Sequence, residues 1–331
     1  MKPTDEKPQP GYFAWREVAM QTTQFWLPLL AIVLLFLLQP VACPSQKAGR
    51  EVILYAAQDQ VYAEPILRDF EQFTGIRVRA VYDSEASKTV AIANRLIAER
   101  ARPQCDVFWG NEELRTRQLA SMGVFRQPYG WAAFGHRSRR IAVATTLEAS
   151  QRPASMLELT NAIWRGRIAL AYPLFGSTAT HLLALRQHWG TNAWTTWCGA
   201  LAENQPLLAE GNSAAARAVA EGRAAIALTD SDDIAAVNRD GVRVMELPIT
   251  SETLLLPNTV AVIRAAPHPD AAQRLFEFLQ SPAVQQRLID VAALETNAPV
   301  SAATRTLQPD WPAMLRDLDA GTRELQQLFK R

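Results

Sequence analysis

The stretch "EVILYAAQDQVYAEPILRDFEQFTGIRVRAVY", residues 51–82, decides the fold class. It opens at 51–57 on a short run of β-branched and aromatic residues that suits a buried strand. Ile66, Leu67, Phe70 and Phe73 then recur at helical spacing, Pro65 suits a first helical turn, and Gly75 is a fitting C-terminal stop. From Ile76 to Tyr82 polar and apolar residues alternate, as in a second strand. Strand, helix and strand within about 32 residues make one right-handed βαβ unit on a parallel ladder.

Downstream the same alternation continues. A helix is predicted from Ser84–Lys88 to just before Pro103, and a third strand at 105–109, "CDVFW". Residues 114–122 read as helix, 140–144 as extended, 156–159 as helical and 167–171 as a strand. Gly176, Ser177 and Thr178 open a helix carrying Leu182, Leu183, Leu185 and Trp189. A helix from Ala216 ends at a Gly222 turn before a buried strand at 224–228. A strand region at 254–264 precedes helices at 271–279 and 283–291. The fold class is α/β with mostly parallel sheets.

Composition narrows the function. The 331 residues suit two domains, and 34 Lys+Arg against 33 Asp+Glu leave a net charge of +1. That balance gives no surplus of cations to hold a nucleic-acid backbone. With 48% hydrophobic and 20% charged residues, a sizeable packed core is expected.

Residues 25–38, "FWLPLLAIVLLFLL", carry no charge and precede Ala42-Cys43. An apolar core of about 7 to 15 residues before small residues is the pattern of an export signal, whereas a spanning helix needs about 20. Ala42 before Cys43 resembles a bacterial lipoprotein box, in which Cys43 is acylated, although Pro40 stands where that box usually has Leu. Residues 1–43 are therefore an export signal, cleaved or lipidated at Cys43, with a retained anchor as the alternative. Cys105 and Cys198 have no CxxC spacing and are expected as buried free thiols. His136, His181, His188 and His268 are scattered, with no HExxH or paired spacing for a metal.

Four stretches together carry a family likeness: 54–99, "LYAAQDQVYAEPILRDFEQFTGIRVRAVYDSEASKTVAIANRLIAE"; "DVFWGNEELRTRQLASMGVF" from Asp106; "LTDSDD" from Leu228; and "LLLPNTVAVIRAAPHPDAAQRLFEFLQSPAVQQRL" from Leu254. In this order they resemble the extracytoplasmic solute-binding proteins of ABC importers, in the group that contains the ferric-iron binders. The resemblance implies a type 2 periplasmic-binding-protein fold: two α/β lobes, 44–140 with 250–331 and 141–249, joined by crossing strands near 139–145 and 245–262. It also implies hinged closure over a small molecule or ion, delivery to a membrane permease and its ATPase, no catalysis, and a monomeric receptor. Its place would be the periplasm or the outer face of the cytoplasmic membrane.

The loops after the strands supply the candidate ligand contacts, because strand ends and helix amino termini converge on a crevice where unpaired N–H groups favour anions. Asp59 follows the first strand and is either a cleft residue or a helix cap. Ser84, Ser87 and Lys88 follow the second strand, with ordinary capping by Ser84 as the alternative. Asn111 and Glu112 follow the third, and Trp109 could line the cleft beside them. Gly176, Ser177 and Thr178 form the best anion site, since a small residue lets backbone approach and two hydroxyls stand at a helix start. The resemblance aligns Arg137 with an arginine that helps hold the anion accompanying iron. Arg126, Arg139 and Arg140 make a solvated basic face the other reading.

Asp230, Asp232 and Asp233 could take a hard cation or an ammonium group, or cap the next helix. Iron-binding relatives have paired tyrosines here, where this chain has Thr229 and Asp230. Asn111 falls where they have a carboxylate, and Asp59 where many have His. An all-oxygen metal site would have to use Asp59 and Asp230, so the cargo stays open between ferric iron, a small anion and a cationic amine; no resident cofactor is expected. The chain has no GxSxG elbow, Walker A loop or GxGxxG after its first strand. The remaining alternatives are a membrane-anchored sensing module and an extracytoplasmic hydrolase built on a carboxylate pair.

Overall fold

The computed structural model describes residues 51–82, 88–128, 130–298 and 305–330. The export or lipoprotein segment with Cys43, and the candidate contacts Ser84 and Ser87, lie outside these residues.

Among the described residues, nine strands form one sheet in the order β2-β1-β3-β9-β4-β7-β5-β6, with β8 paired to β4. In its first half β1 (Glu51–Ala56) pairs in parallel with β2 (Arg77–Tyr82) and β3 (Val107–Gly110). In its second half β5 (Ile168–Ala171) pairs in parallel with β6 (Leu207–Ala209) and β7 (Ile226–Asp230). The two connecting strands, β4 (Trp131–Ala144) and β9 (Leu255–Val262), run antiparallel to their neighbours, so the sheet is mixed. β4 joins the halves: up to Ser138 it pairs with β9, and from Arg139 it pairs with β7. The short β8 (Val244–Glu246) pairs with its end.

Helix α1 (Gln60–Thr74) buries Ile66, Leu67 and Phe70 against β1 and ends at Gly75, whose φ of 68° is the left-handed stop that glycine adopts freely. Pro65 lies inside this helix rather than in its first turn. The carbonyl it leaves without an N–H partner belongs to Val61, which is 72% exposed and open to water. Helices α2 (Lys88–Glu99) and α3 (Glu113–Ser121) complete the first βα series. Helices α4 (Gly176–Trp189), α5 (Thr191–Glu203), α6 (Asn212–Ala220) and α7 (Ser231–Arg239) belong to the second half. α8 (Pro269–Leu279) and α9 (Pro282–Asp290) return to the first, and α10 (Trp311–Leu328) follows.

Each half has apolar packing on both faces of its strands. Val52, Leu54, Phe70, Trp109, Val260 and Leu275 fill one side of the first half, and Tyr55, Leu96, Phe108 and Phe125 the other. Trp109 is thus a core residue and not a cleft residue, because strand alternation turns it with Val107 into the packed face. The second half is built on Leu170, Leu182, Trp194, Ile226 and Leu228. α10 packs into this core through Met314, Leu318 and Leu325 and also lies against α3 of the first half. Gly321 lets it approach: a Cβ at this position would come within 2.4 Å of Leu183 Cδ2. Cys105 and Cys198 are buried free thiols, as expected. No described helix is long and apolar enough to cross a membrane.

Candidate functional site

The carboxyl ends of β1, β3, β5, β6 and β7 open on one cavity of about 60 Å³ beside the β4 switch. Asp59, at the start of α1, and Asn111, at the end of β3, line it from the first half. Tyr172, Gly176, Ser177, Thr178, Glu210, Asn212 and the Asp230–Asp233 turn line it from the second, with Arg137 of β4 between them. This is where an α/β sheet places ligands, since strand ends present loop side chains and helix amino termini together. α4 and α6 point their first turns at the cavity, and no side chain caps either one. Their leading N–H groups and the positive ends of their dipoles favour negative charge.

The floor is organised around Asp230, which is 2% exposed. Arg139 Nη1 donates to its Oδ1 at 2.6 Å and Arg137 Nη2 to its Oδ2 at 3.1 Å. Ser177 Oγ donates to the same Oδ2 at 2.8 Å, and Asn212 Nδ2 does so at 3.3 Å. Burial alone would raise its pKa, but the two guanidinium groups overcome that and hold the carboxyl below the usual range. Both arginines come from one strand face: Arg137 and Arg139 are two apart on β4, while the intervening Ser138 and the following Arg140 turn the other way toward Glu295. Arg137 also donates from Nη1 to the Asn111 carbonyl at 2.7 Å, and Arg139 from Nη1 to Asn212 Oδ1 at 2.9 Å.

The next two carboxylates have fewer partners. Asp233 accepts from the Ser213 hydroxyl at 2.6 Å and lies 3.2 Å from the Thr229 hydroxyl. Burial first, then Asp232 and Asp230, lift its pKa well above the carboxylate range. Asp232 Oδ1 lies 3.2 Å from Arg137 Nε, close enough for an ion pair, yet neither atom makes an aligned hydrogen bond. Burial and the nearby Asp230 and Asp59 push the Asp232 carboxyl up to about 7 against the pull of Arg137. Asp230, Asp232 and Asp233 can bring one oxygen each within 4.8 Å of one another, a spacing that could surround a cation. Asp230, however, already has a guanidinium on each oxygen, and these would stand beside any metal.

Of the residues proposed from sequence, Asp59, Asn111, Arg137, Gly176, Ser177, Thr178 and Asp230 all border the cavity. Asp59 holds the N-cap position of α1 without a side-chain capping bond. Glu112 does not border it. Fully buried, it caps α3 by accepting from Leu114 N at 2.8 Å and Arg115 N at 3.0 Å, and it accepts from Thr180 Oγ1 at 2.9 Å. Arg137 and Arg139 are buried at 3% and 1% exposure, which rules out a solvated basic face for this pair. Thr229, at one of the two positions where iron-binding relatives have tyrosine, is fully buried, its hydroxyl donating to the Asn212 carbonyl at 2.9 Å. Sequence reasoning missed Asn212 and Tyr172. Gly211-Asn212-Ser213 before an alanine-rich helix is a start signal that marks Asn212, and Tyr172 stands directly after the strand at 167–171, where a strand-end contact falls.

Among curated proteins none matches the chain. Among solved structures it is similar to a ferric binding protein from Campylobacter jejuni, with a TM-score of 0.72 and 18% identity over 84% of this chain and 99% of that one. It is similar to iron-bound HitA from Pseudomonas aeruginosa, with a TM-score of 0.69 and 18% identity over 84% and 99%. It is also similar to the periplasmic binding protein AfuA from Actinobacillus pleuropneumoniae, crystallised with fructose-6-phosphate, with a TM-score of 0.68 and 18% identity over 84% and 96%. These likenesses give the periplasmic-binding-protein fold. The profile of the bacterial extracellular solute-binding proteins matches residues 52–290, well over half of the sequence, and the chain belongs to that family.

Proposed function

We propose that this solute-binding protein of the ABC-importer type captures a small organic anion in the cavity at the β4 switch and delivers it to a membrane permease and its ATPase. Residues 1–43 serve as export signal or anchor, with Cys43 as the acylation point, and the receptor works as a monomer in the periplasm or at the outer face of the cytoplasmic membrane. The two halves act as lobes meeting at Ser138–Arg139, with α10 riding on the second, and closure brings Asp59 and Asn111 over the ligand.

One observation carries the choice of an anion. Of the four helix amino termini without side-chain caps at the cavity, those of α4 and α6 carry no carboxylate of their own, while the carboxylate at the tyrosine position before α7 is occupied by Arg137 and Arg139. Ferric iron needs oxygen or phenolate donors free to bind it, and Thr229 and Asp230 are both engaged within the protein. AfuA, with its bound sugar phosphate, is an example of this fold taking an organic anion. The test is thermal unfolding against a panel of phosphate esters, sulfates, dicarboxylates, ferric salts and polyamines. A ligand present at 100 times its Kd stabilises by about 2.7 kcal/mol. Stabilisation by an anion, weakened in Ser177→Ala/Thr178→Ala, is expected; stabilisation by ferric iron or a polyamine alone would replace this reading.

A further inference from the structure

The cavity holds an electrostatic tension. Asp59, Glu210, Asp230, Asp232 and Asp233 line it, against one lining arginine, Arg137, with Arg139 behind. Asp230 uses both guanidinium groups, and Asp233, held by the Ser213 hydroxyl, is lifted well above the carboxylate range by burial. Asp232 is the carboxylate left over: 5% exposed, on the cavity wall, with an oxygen that makes no hydrogen bond. A fully ionised wall would repel the anion that the α4 and α6 termini invite. A proton on Asp232, beside the one that burial leaves on Asp233, removes the conflict.

We propose that Asp232 is a specificity-determining residue of this receptor: it is protonated in the complex and donates a hydrogen bond to an oxygen of the bound anion, so that capture takes up a proton from solvent. The proposal rests on the reading of the cargo as an anion. Asp232 faces Arg137 from β4, Asp230 and Asp233 from its own turn, and Asp59 from the start of α1. Beyond Asp59 it faces Tyr62, whose hydroxyl accepts from Arg239 at 2.9 Å. Arg137 is the cation among these in direct contact with Asp232, and it is shared with Asp230. An arriving negative charge therefore raises proton affinity at Asp232, and by reciprocity a proton there raises anion affinity. A carboxyl that donates rather than accepts selects ligands presenting an acceptor-only oxygen, such as a fully ionised phosphate or sulfate.

The experiment is calorimetric titration of the full chain with sulfate and glucose 6-sulfate, whose charge stays constant from pH 5 to 9. Wild-type affinity should be level below pH 6 and fall close to tenfold per pH unit above 7, whereas Asp232→Asn, with a neutral donor in place, should be nearly flat. Wild-type affinity independent of pH, or parallel profiles for both proteins, would overturn the proposal. In the ligand-free protein the Asp232 carboxyl carbon, assigned by comparison with Asp232→Asn, should titrate near 7 by NMR; a midpoint below 5 would overturn it whatever binds. No sulfate binding despite a midpoint near 7, or spermidine binding that strengthens as pH rises, would instead remove the anion reading, and the proposal with it.

Discussion

Replacing Asp230 by Asn tests whether this carboxylate is the internal anchor of the site or an open ligand group. Arg139 and Arg137 lie 2.6 and 3.1 Å from its two oxygens, and all three side chains are almost fully buried. An Asn amide keeps one acceptor and turns N–H groups toward a guanidinium, leaving two buried cations with no full counter-charge. Breaking one side of a buried pair costs about 3–5 kcal/mol, a large share of the roughly 5–15 kcal/mol that holds a domain folded. At about 2.1 cal/mol/K per residue, the roughly 280 residues from β1 to α10 unfold with about 0.6 kcal/mol/K, so the melting temperature should drop by roughly 5–8 °C. Urea unfolding followed by circular dichroism at pH 7 gives the free energy directly. Adding Arg139→Met to Asp230→Asn should recover part of the loss, because it removes an uncompensated cation. The folded-state pKa of Asp230 is depressed, so its contribution is complete above the ordinary Asp value of about 3.9 and is lost only as pH falls through the folded value. Asp230 also helps hold Asp232 up, so its loss lets Asp232 ionise beside Arg137, and the deficit should be smaller at pH 8 than at pH 5. A deficit under about 1 kcal/mol would mean that Asp230 is no internal anchor and would return it to the ligand.

Two further outcomes follow from the same geometry. Gly176 has φ of 54° with open space around a Cβ, so Gly176→Ala should cost about 1–2 kcal/mol in urea unfolding through backbone strain alone, and should tilt the α4 N–H groups enough to weaken an anion. His181 is held to about 3 by burial and by Arg139, and its Nε2 lies 2.8 Å from the Glu252 carbonyl. The unfolded chain protonates this ring below about 6.5 while the folded one does not, so stability drains as pH falls from there toward 3. His181→Gln should show a shallower acid limb than wild type in melts at pH 7 and pH 5; an identical limb would contradict that assignment.

Much of this was legible before the structure. The βαβ reading of residues 51–82 gave β1, α1 and β2, and strand ends followed by polar loops located most of the cavity wall. The physics is local there: period 2 for strands, 3.6 for helices, glycine and hydroxyl signals at their junctions. What escaped depends on long-range register. Arg137 and Arg139 sit two apart, which marks a shared strand face, but only pairing of β4 with β7 brings Arg139 opposite Asp230. Glu112 looked like a cleft residue because it follows β3, yet capping α3 turns it inward onto Thr180. α10 shows helical amphipathicity in its own sequence, but its partner surface on α4 and α5, a hundred residues earlier, is set by tertiary packing. Asp232 and Asp233 illustrate the same limit: three carboxylates in "LTDSDD" are visible at once, and which of them receives the arginines is not.

Native mass spectrometry of the protein purified without added ligand, followed by denaturation to release and identify what it holds, shows whether this receptor carries a small organic anion. One organic anion per chain is expected, lost from Ser177→Ala/Thr178→Ala protein that remains folded. One ferric ion or one polyamine per chain, with no organic anion, would contradict it.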